Sequence, residues 1–356
     1  MTDKSRFGGR HQLRAVGVGV PIALVALALT VVGCWPRQQV VLGDPHRLPT
    51  PGDLVVPVPT DLTGKMSAPT EIAMRNVSYH VDDQLSLGIR RLHGRIYNVN
   101  GGIVVFDKKN DLALDVAAGE IALTPSALSI LLNRYVFAFK GSNLKDLVVR
   151  AEGDHIVQTG TMHKLIDIPF EMTASLSVTD DGWIRIHPTK LDICNLDGEK
   201  LLRAVGKTMA DMLDLNGAKG VKAVGNDLLL DPVLSLPPPK IIGKITAIRV
   251  ENGEIIQTFG PANEPDPANL IPSYPAKNYM YFRGGTIRFG KLFMVDADLL
   301  TVDADESDPF DFYFDYYHSQ LVAGRHITLP NYGLVTWMVD FDKLGLKATV
   351  AASGKR

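Results

Sequence analysis

The stretch Ile166-Asp167-Ile168-Pro169-Phe170-Glu171-Met172-Thr173-Ala174-Ser175-Leu176-Ser177-Val178 alternates apolar and polar residues. A period of two marks a β-strand with one dry face and one wet face. Thr179-Asp180-Asp181-Gly182 supplies turn chemistry, and Trp183, Ile184 and Ile186 begin the return strand. Beyond Pro188 the apolar phase flips to Leu191 and Ile193, which predicts a bulge near Pro188. Asp197 then suits a helix N-cap, Glu199 its first turn and Asn216-Gly217 its end. Leu201, Leu202, Val205, Met209 and Met212 fall on one stripe between them, so one amphipathic helix is expected from Asp197 to Leu213. After Pro237-Pro238-Pro239, residues 241–250 read as a strand, and Asn252-Gly253 turns it back through residues 254–259.

Working outward, alternation begins at Glu71. Leu85, Leu87 and Ile89 share one parity, Asn100-Gly101-Gly102 makes a turn, and Val105, Leu112, Leu114 and Val116 continue the sheet. Thr124-Pro125 is an N-cap followed by proline at the first helical position. The helix from Thr124 to Tyr135 places Leu128, Leu131, Leu132 and Tyr135 on one face. Residues 144–151 and 155–162 form a hairpin over Glu152-Gly153-Asp154. So few helices among so many strands exclude βαβ alternation. The expected fold class is α+β: a curved antiparallel sheet wrapped around amphipathic helices, with a smaller C-terminal α+β part.

Ile168-Pro169-Phe170, the hairpin through Trp183-Ile184-Arg185-Ile186-His187-Pro188, the helix at Leu201-Leu202 and the segment from Lys244 to Val250 together resemble the LmeA-like phospholipid-binding proteins. They are also similar to periplasmic lipoproteins of the wider tubular lipid-binding (TULIP) superfamily. The resemblance covers roughly residues 70 to 260 and rests on the order of elements. It implies a sheet around a helix with an apolar groove for acyl chains, and it brings no catalytic residue. The groove is then expected to be lined by Leu128, Leu131 and Leu132 of the first helix and Leu201, Leu202, Val205, Met209 and Met212 of the second.

Lys4, Arg6, Arg10 and Arg14 precede an uncharged run from Ala15 to Val32 that ends in Val31-Val32-Gly33-Cys34. A basic region, an apolar region and a small residue before the cleavage point make a secretory signal. Val-Val-Gly-Cys also fits a bacterial lipobox, with lipidation at Cys34. The run equally reaches the length of a spanning anchor. Both readings put the remainder in the cell envelope, on the periplasmic side. Residues 1–34 are the signal or anchor, and the proline-rich residues 35–69 are a linker. If Cys34 is acylated, Cys194 has no intramolecular partner and is expected to be a buried small hydrophobe.

Pro261, Pro265, Pro267, Pro272 and Pro275 mark a boundary between a lipid-binding-like domain, 70–260, and an acidic, aromatic C-terminal domain, 276–356. Asp296, Asp298, Asp303, Asp305, Glu306 and Asp308 crowd that part, on what the alternation reads as a solvated strand edge. Asp308-Pro309 then looks like a helix start, with Phe310, Tyr313, Phe314, Tyr317 and Leu321 at helical spacing; Phe310, Phe312, Phe314 and Tyr316 also fit period two, but the capping chemistry and the stop at Gly324 favour the helix.

The nine histidines include no His-x-x-x-His pair, and neither a Gly-x-Ser-x-Gly elbow nor a Walker loop occurs. A net charge of −2 argues against a nucleic-acid partner. The reading is therefore a binding protein rather than an enzyme, without cofactor or metal: an envelope-anchored protein that binds or transfers a phospholipid or other acyl lipid. The alternative is a structural or interaction protein of the envelope.

Overall fold

A computed structural model describes residues 68–344, apart from 164, 195, 201–206, 214 and 216. The chain lays down β1 (Thr70–His80), β2 (Ser86–Asn98), β3 (Val104–Val105) and β4 (Leu112–Leu123) in a larger sheet. It leaves through helix α1 (Pro125–Leu131) to build a smaller sheet from β5 (Leu144–Glu152), β6 (His155–His163), β7 (Asp167–Val178), β8 (Ile184–Ile193), β9 (Leu196–Asp197), β10 (Val221–Val224) and β11 (Asp227–Leu230). The short helices α2 (Met209–Met212) and α3 (Pro232–Ser235) flank β10 and β11. The larger sheet then resumes with β12 (Lys240–Ile242), β13 (Ile245–Glu251), β14 (Glu254–Phe259), β15 (Tyr279–Phe289), β16 (Leu292–Asp303) and β17 (Phe310–Tyr313). Helix α4 (Tyr317–Ala323), β18 (Arg325–Thr328) and β19 (Leu334–Met338) complete it.

The smaller sheet has the strand order β10-β11-β8-β7-β6-β5, and the larger runs β13-β14-β4-β2-β1-β15-β16-β19-β18. β1 divides its edge between two partners. Residues 71–75 pair antiparallel with β15 and residues 77–80 pair parallel with β17. Asn76, at φ 48°, makes the switch, and its amide donates to Asn278 Oδ1 at 2.9 Å. Strands drawn from residues 70–123 and 279–338 thus share one sheet.

This architecture corrects the α+β expectation. Strand dominates the described residues, and the two sheets bury their dry faces against each other instead of wrapping a long helix. The helix expected from Asp197 to Leu213 is interrupted. Residues 198–200 are helical, but Thr208 is extended at φ −110° and ψ 171° and opens a new four-residue helix. Its side chain and that of Asp211 form a reciprocal capping box, which fixes the break. α1 starts as expected, with Thr124 Oγ1 accepting from Ala127 N at 3.1 Å. It then widens into a π-helical turn, Leu132–Val136, where Phe137 N reaches back to Leu132 O.

The hairpins read from sequence are present. β7 and β8 pair with a register shift opposite Pro188 and Lys190, the predicted bulge. Asn252 and Gly253, both with positive φ, turn β13 into β14. At Phe310 the strand spacing wins over the helical one, because β17 adds to β1 and buries Phe310 and Phe312; the helix starts only at Tyr317. β16 lies between β15 and β19 and is no edge. Cys194 is exposed, at φ 53° in the turn after β8, and not a buried hydrophobe.

Candidate functional site

The inner face of the smaller sheet is set by parity. Along β6 it presents Ile156, Gln158, Gly160 and Met162; opposite them β7 presents Ala174, Met172, Phe170 and Ile168. The β8 bulge keeps Ile184, Ile186, Leu191 and Ile193 on the same side. The outer face carries Glu171, Thr173 and Ser175, as the alternation requires. Because β8 has one extra residue, its apolar side chains follow the bend of the sheet and none is turned to water.

Two apolar cavities lie along this face. The first separates the sheets. Leu87, Ile121, Leu123, Ile255 and Phe259 come from the larger sheet, and Ile156, Leu176, Ile184, Ile186 and Leu230 from the smaller. α1 contributes Leu128 and Leu131, the π-turn Leu132, and α3 Pro232 and Ser235. Asp231 caps α3 through Oδ1, accepting from Val233 N at 2.8 Å, with Pro232 at the first helical position. The second cavity lies between the smaller sheet and α2, walled by Met162, Phe170, Met172, Leu191, Ile193, Met209 and Met212. Each is narrow, about 40 Å³ in volume. Gln158 lines both, so the two cavities adjoin, and together they are called the seam below.

No charged residue lines the seam among the described residues. Its polar side chains are Gln158, Gln257 and Ser235. Ser235 Oγ donates to Asp231 O at 2.7 Å. Gln158 and Gln257 are 5% and 8% exposed, and neither side-chain amide hydrogen-bonds another described residue. Both amides stand out in an otherwise hydrocarbon lining.

The seam is graded toward one end of the smaller sheet. Met172 is 2% exposed, Phe170 and Ile168 are half-buried, and Ile166 is 70% exposed. Leu165, next to it, is 96% exposed. Leu196, 60% exposed, follows the β8 turn at the same end, because Phe170 is registered with Ile193. The strand face that lines the seam therefore ends beside an exposed apolar tip.

α2 is a short wall of the seam. It is held by Met209 N to Asn226 Oδ1 at 3.1 Å, Ala210 N to Gly225 O at 3.0 Å and Asn143 Nδ2 to Met212 O at 3.1 Å. Of the side chains expected to bind lipid, Leu128, Leu131, Leu132, Met209 and Met212 line the seam. Leu201, Leu202 and Val205 lie outside the described residues, as does Cys34. Sequence reading missed Gln158, although a polar residue at the dry parity of residues 155–162 was its signal. It also missed α3, although Asp231-Pro232 repeats the cap-plus-proline signature of Thr124-Pro125.

The titratable groups are elsewhere. His80, His93, His163 and His187 each face an aspartate, namely Asp311, Asp266, Asp167 and Asp227. Asp107 Oδ1 accepts from Tyr317 Oη at 2.7 Å and lies 2.5 Å from His318 Nε2; these bonds hold its carboxyl below the usual range against the opposing effect of burial. Burial pushes the Asp303 carboxyl up to about 7, with the facing Asp340 adding to it. No helix among the described residues is long and apolar enough to cross a membrane. No family model, no curated protein and no solved structure matches this chain.

Proposed function

We propose that the protein binds acyl lipid in the seam between its two sheets and works at a membrane surface of the cell envelope. The observation that carries the reading is the inner face of β7, half-buried Ile168 and Phe170 and then buried Met172, with exposed Ile166 in the bend just before the strand. An ordinary core ends at its surface in polar side chains, whereas this one opens onto a tip carrying Leu165, Ile166 and Leu196. Such a tip suits the boundary between headgroups and acyl chains, and the described residues lining the cavity behind it carry no charge.

A cavity of about 40 Å³ is too small for a whole acyl chain, so binding requires the walls to part. α2 is the wall that moves, with four residues and two methionines whose unbranched side chains repack around irregular shapes. Each methylene removed from water contributes about 0.8 kcal/mol, so a chain of ten offsets several kcal/mol of opening cost. Lipidation at Cys34, or an anchor in its place, would keep the protein at the bilayer from which the ligand comes.

The test is organic-solvent extraction of protein purified from membranes, with mass spectrometry of the extract, set beside Met172→Trp. Lipid in stoichiometric amount with the native chain, and none with the folded variant, is the expected result. Equal lipid in both preparations, or none in either after incubation with phospholipid vesicles, would return the protein to the role of an envelope scaffold with a closed core.

A further inference from the structure

Outside the seam, four aspartates converge where β16 and β19 end. Asp303 is the last residue of β16 and is registered beside Met338 of the parallel β19. Its amide donates to Asn278 O at 3.2 Å, and Ala304 N donates to Met338 O at 3.0 Å, so the following loop leaves the sheet beside Asp340. Asp303 Oδ1 accepts from Asp305 N at 2.9 Å, and Asp305 Oδ1 accepts from Ser307 N at 3.1 Å and Ser307 Oγ at 2.7 Å. One carboxylate oxygen each of Asp305, Asp308 and Asp340 then lies within 4.8 Å of the others.

Lys343 Nζ sits in this cluster, 2.8 Å from Asp305 Oδ2 and 2.6 Å from Asp340 Oδ2. A single ammonium does not satisfy it. Asp303 and Asp340 are 1% and 7% exposed, and Asp303 Oδ2 and Asp340 Oδ1 are buried without a hydrogen-bond partner. Carboxylate oxygens taken out of water need a donor or a cation, and these two face a site already rich in negative charge.

We infer that Asp303, Asp305, Asp308 and Asp340 hold a divalent cation of calcium's size, with Lys343 as the internal cation that competes for the place. Calcium takes six to eight oxygens at about 2.3–2.6 Å, so ligands across the ion stand about 4.6–5.2 Å apart, and the spacing of the Asp305, Asp308 and Asp340 carboxylates fits within that reach. Magnesium, at about 2.0–2.1 Å, demands a tighter and more regular shell. Asp308 is exposed and the Lys343 side chain half-exposed, so water can complete the outer positions and the lysine can swing aside. The bound ion would clamp the 304–308 loop to the end of β19.

Thermal melts of the full chain in EGTA, in about 5 mM calcium and in about 5 mM magnesium test this, with calorimetry for stoichiometry. Calcium should raise Tm by about 3 °C or more with one ion bound, and magnesium should do less. Asp308→Asn, an exposed change that spares the fold, should abolish the rise, as should Asp340→Asn. The Asp303→Asn, Asp340→Asn pair should melt in EGTA no lower than the native chain, because it removes the uncompensated charge. Lys343→Gln should lower the EGTA melt and tighten calcium binding about tenfold by removing the competitor. A native melt indifferent to calcium, yet falling as pH rises from 6 to 8, would overturn the site and mean that Asp303 and Asp340 share a proton. A calcium response that survives Asp308→Asn and Asp340→Asn would overturn it equally.

Discussion

The aromatic block of the larger sheet and the seam beside the smaller one are both apolar, but they are built differently. In the block, Phe106, Phe282, Phe289, Phe312, Phe314 and Tyr317 interlock with centroids 4.5–6.5 Å apart, edge-on and stacked by turns. Phe282, Phe289 and Phe312 are fully buried. The seam is made of Leu, Ile and Met on a strand face, covered by helices of four and seven residues, with two glutamines between that no other described residue hydrogen-bonds. Flat rings fill the space between strands and fix one another. Flexible side chains under a short helix leave narrow voids that a ligand can widen. Equal hydrophobicity therefore does not mean equal packing, and the looser region is the one that ends at an exposed tip.

The largest expected effect lies in the block. Phe312→Ala should cost about 3–5 kcal/mol in urea denaturation, because its neighbours cannot collapse into the hole. Met212→Ala, at a half-buried wall of the seam, should cost about 1 kcal/mol or less. Similar losses at both sites would erase the distinction. Next in size, Met209→Trp should fill the seam from the α2 side and weaken binding of a fluorescent acyl probe about tenfold or more while the cooperative melt is kept. Gln158→Leu should stabilise the lipid-free protein by about 1 kcal/mol, since it replaces an amide that no other described residue hydrogen-bonds within an apolar lining. A loss of stability there would mean that the amide has a partner. The smallest change is at the tip: Ile166→Asp should leave stability within about 0.5 kcal/mol yet slow lipid uptake from vesicles several-fold.

Much of the smaller sheet was legible because alternation, turn residues and a parity flip are local signals. Ile166 to Val178, the turn at Gly182 and the bulge near Pro188 all sit where local chemistry puts them. What covers that sheet was not legible. The apolar stripe from Leu201 to Met212 fits one helix, but Thr208 with Asp211 makes a better cap than helix interior, and periodicity does not weigh that competition. Nor does sequence say that two dry faces separated by a hundred residues will meet. The inter-sheet seam depends on the chain returning to β4 through β12 and β14 after the smaller sheet is complete. Phe310 to Tyr317 fitted two periods, and pairing with β1, a non-local partner, decided for strand.

The most direct test of the account is to locate a bound chain. A photoactivatable fatty acyl lipid, taken up by the native protein from vesicles and cross-linked by light, should label peptides carrying Met172, Leu191 and Met209, the side chains facing the seam beneath α2. Unlabelled lipid should compete for the same peptides. Saturable labelling confined to the outer face of the smaller sheet or to the aromatic block, with the seam untouched, would contradict it.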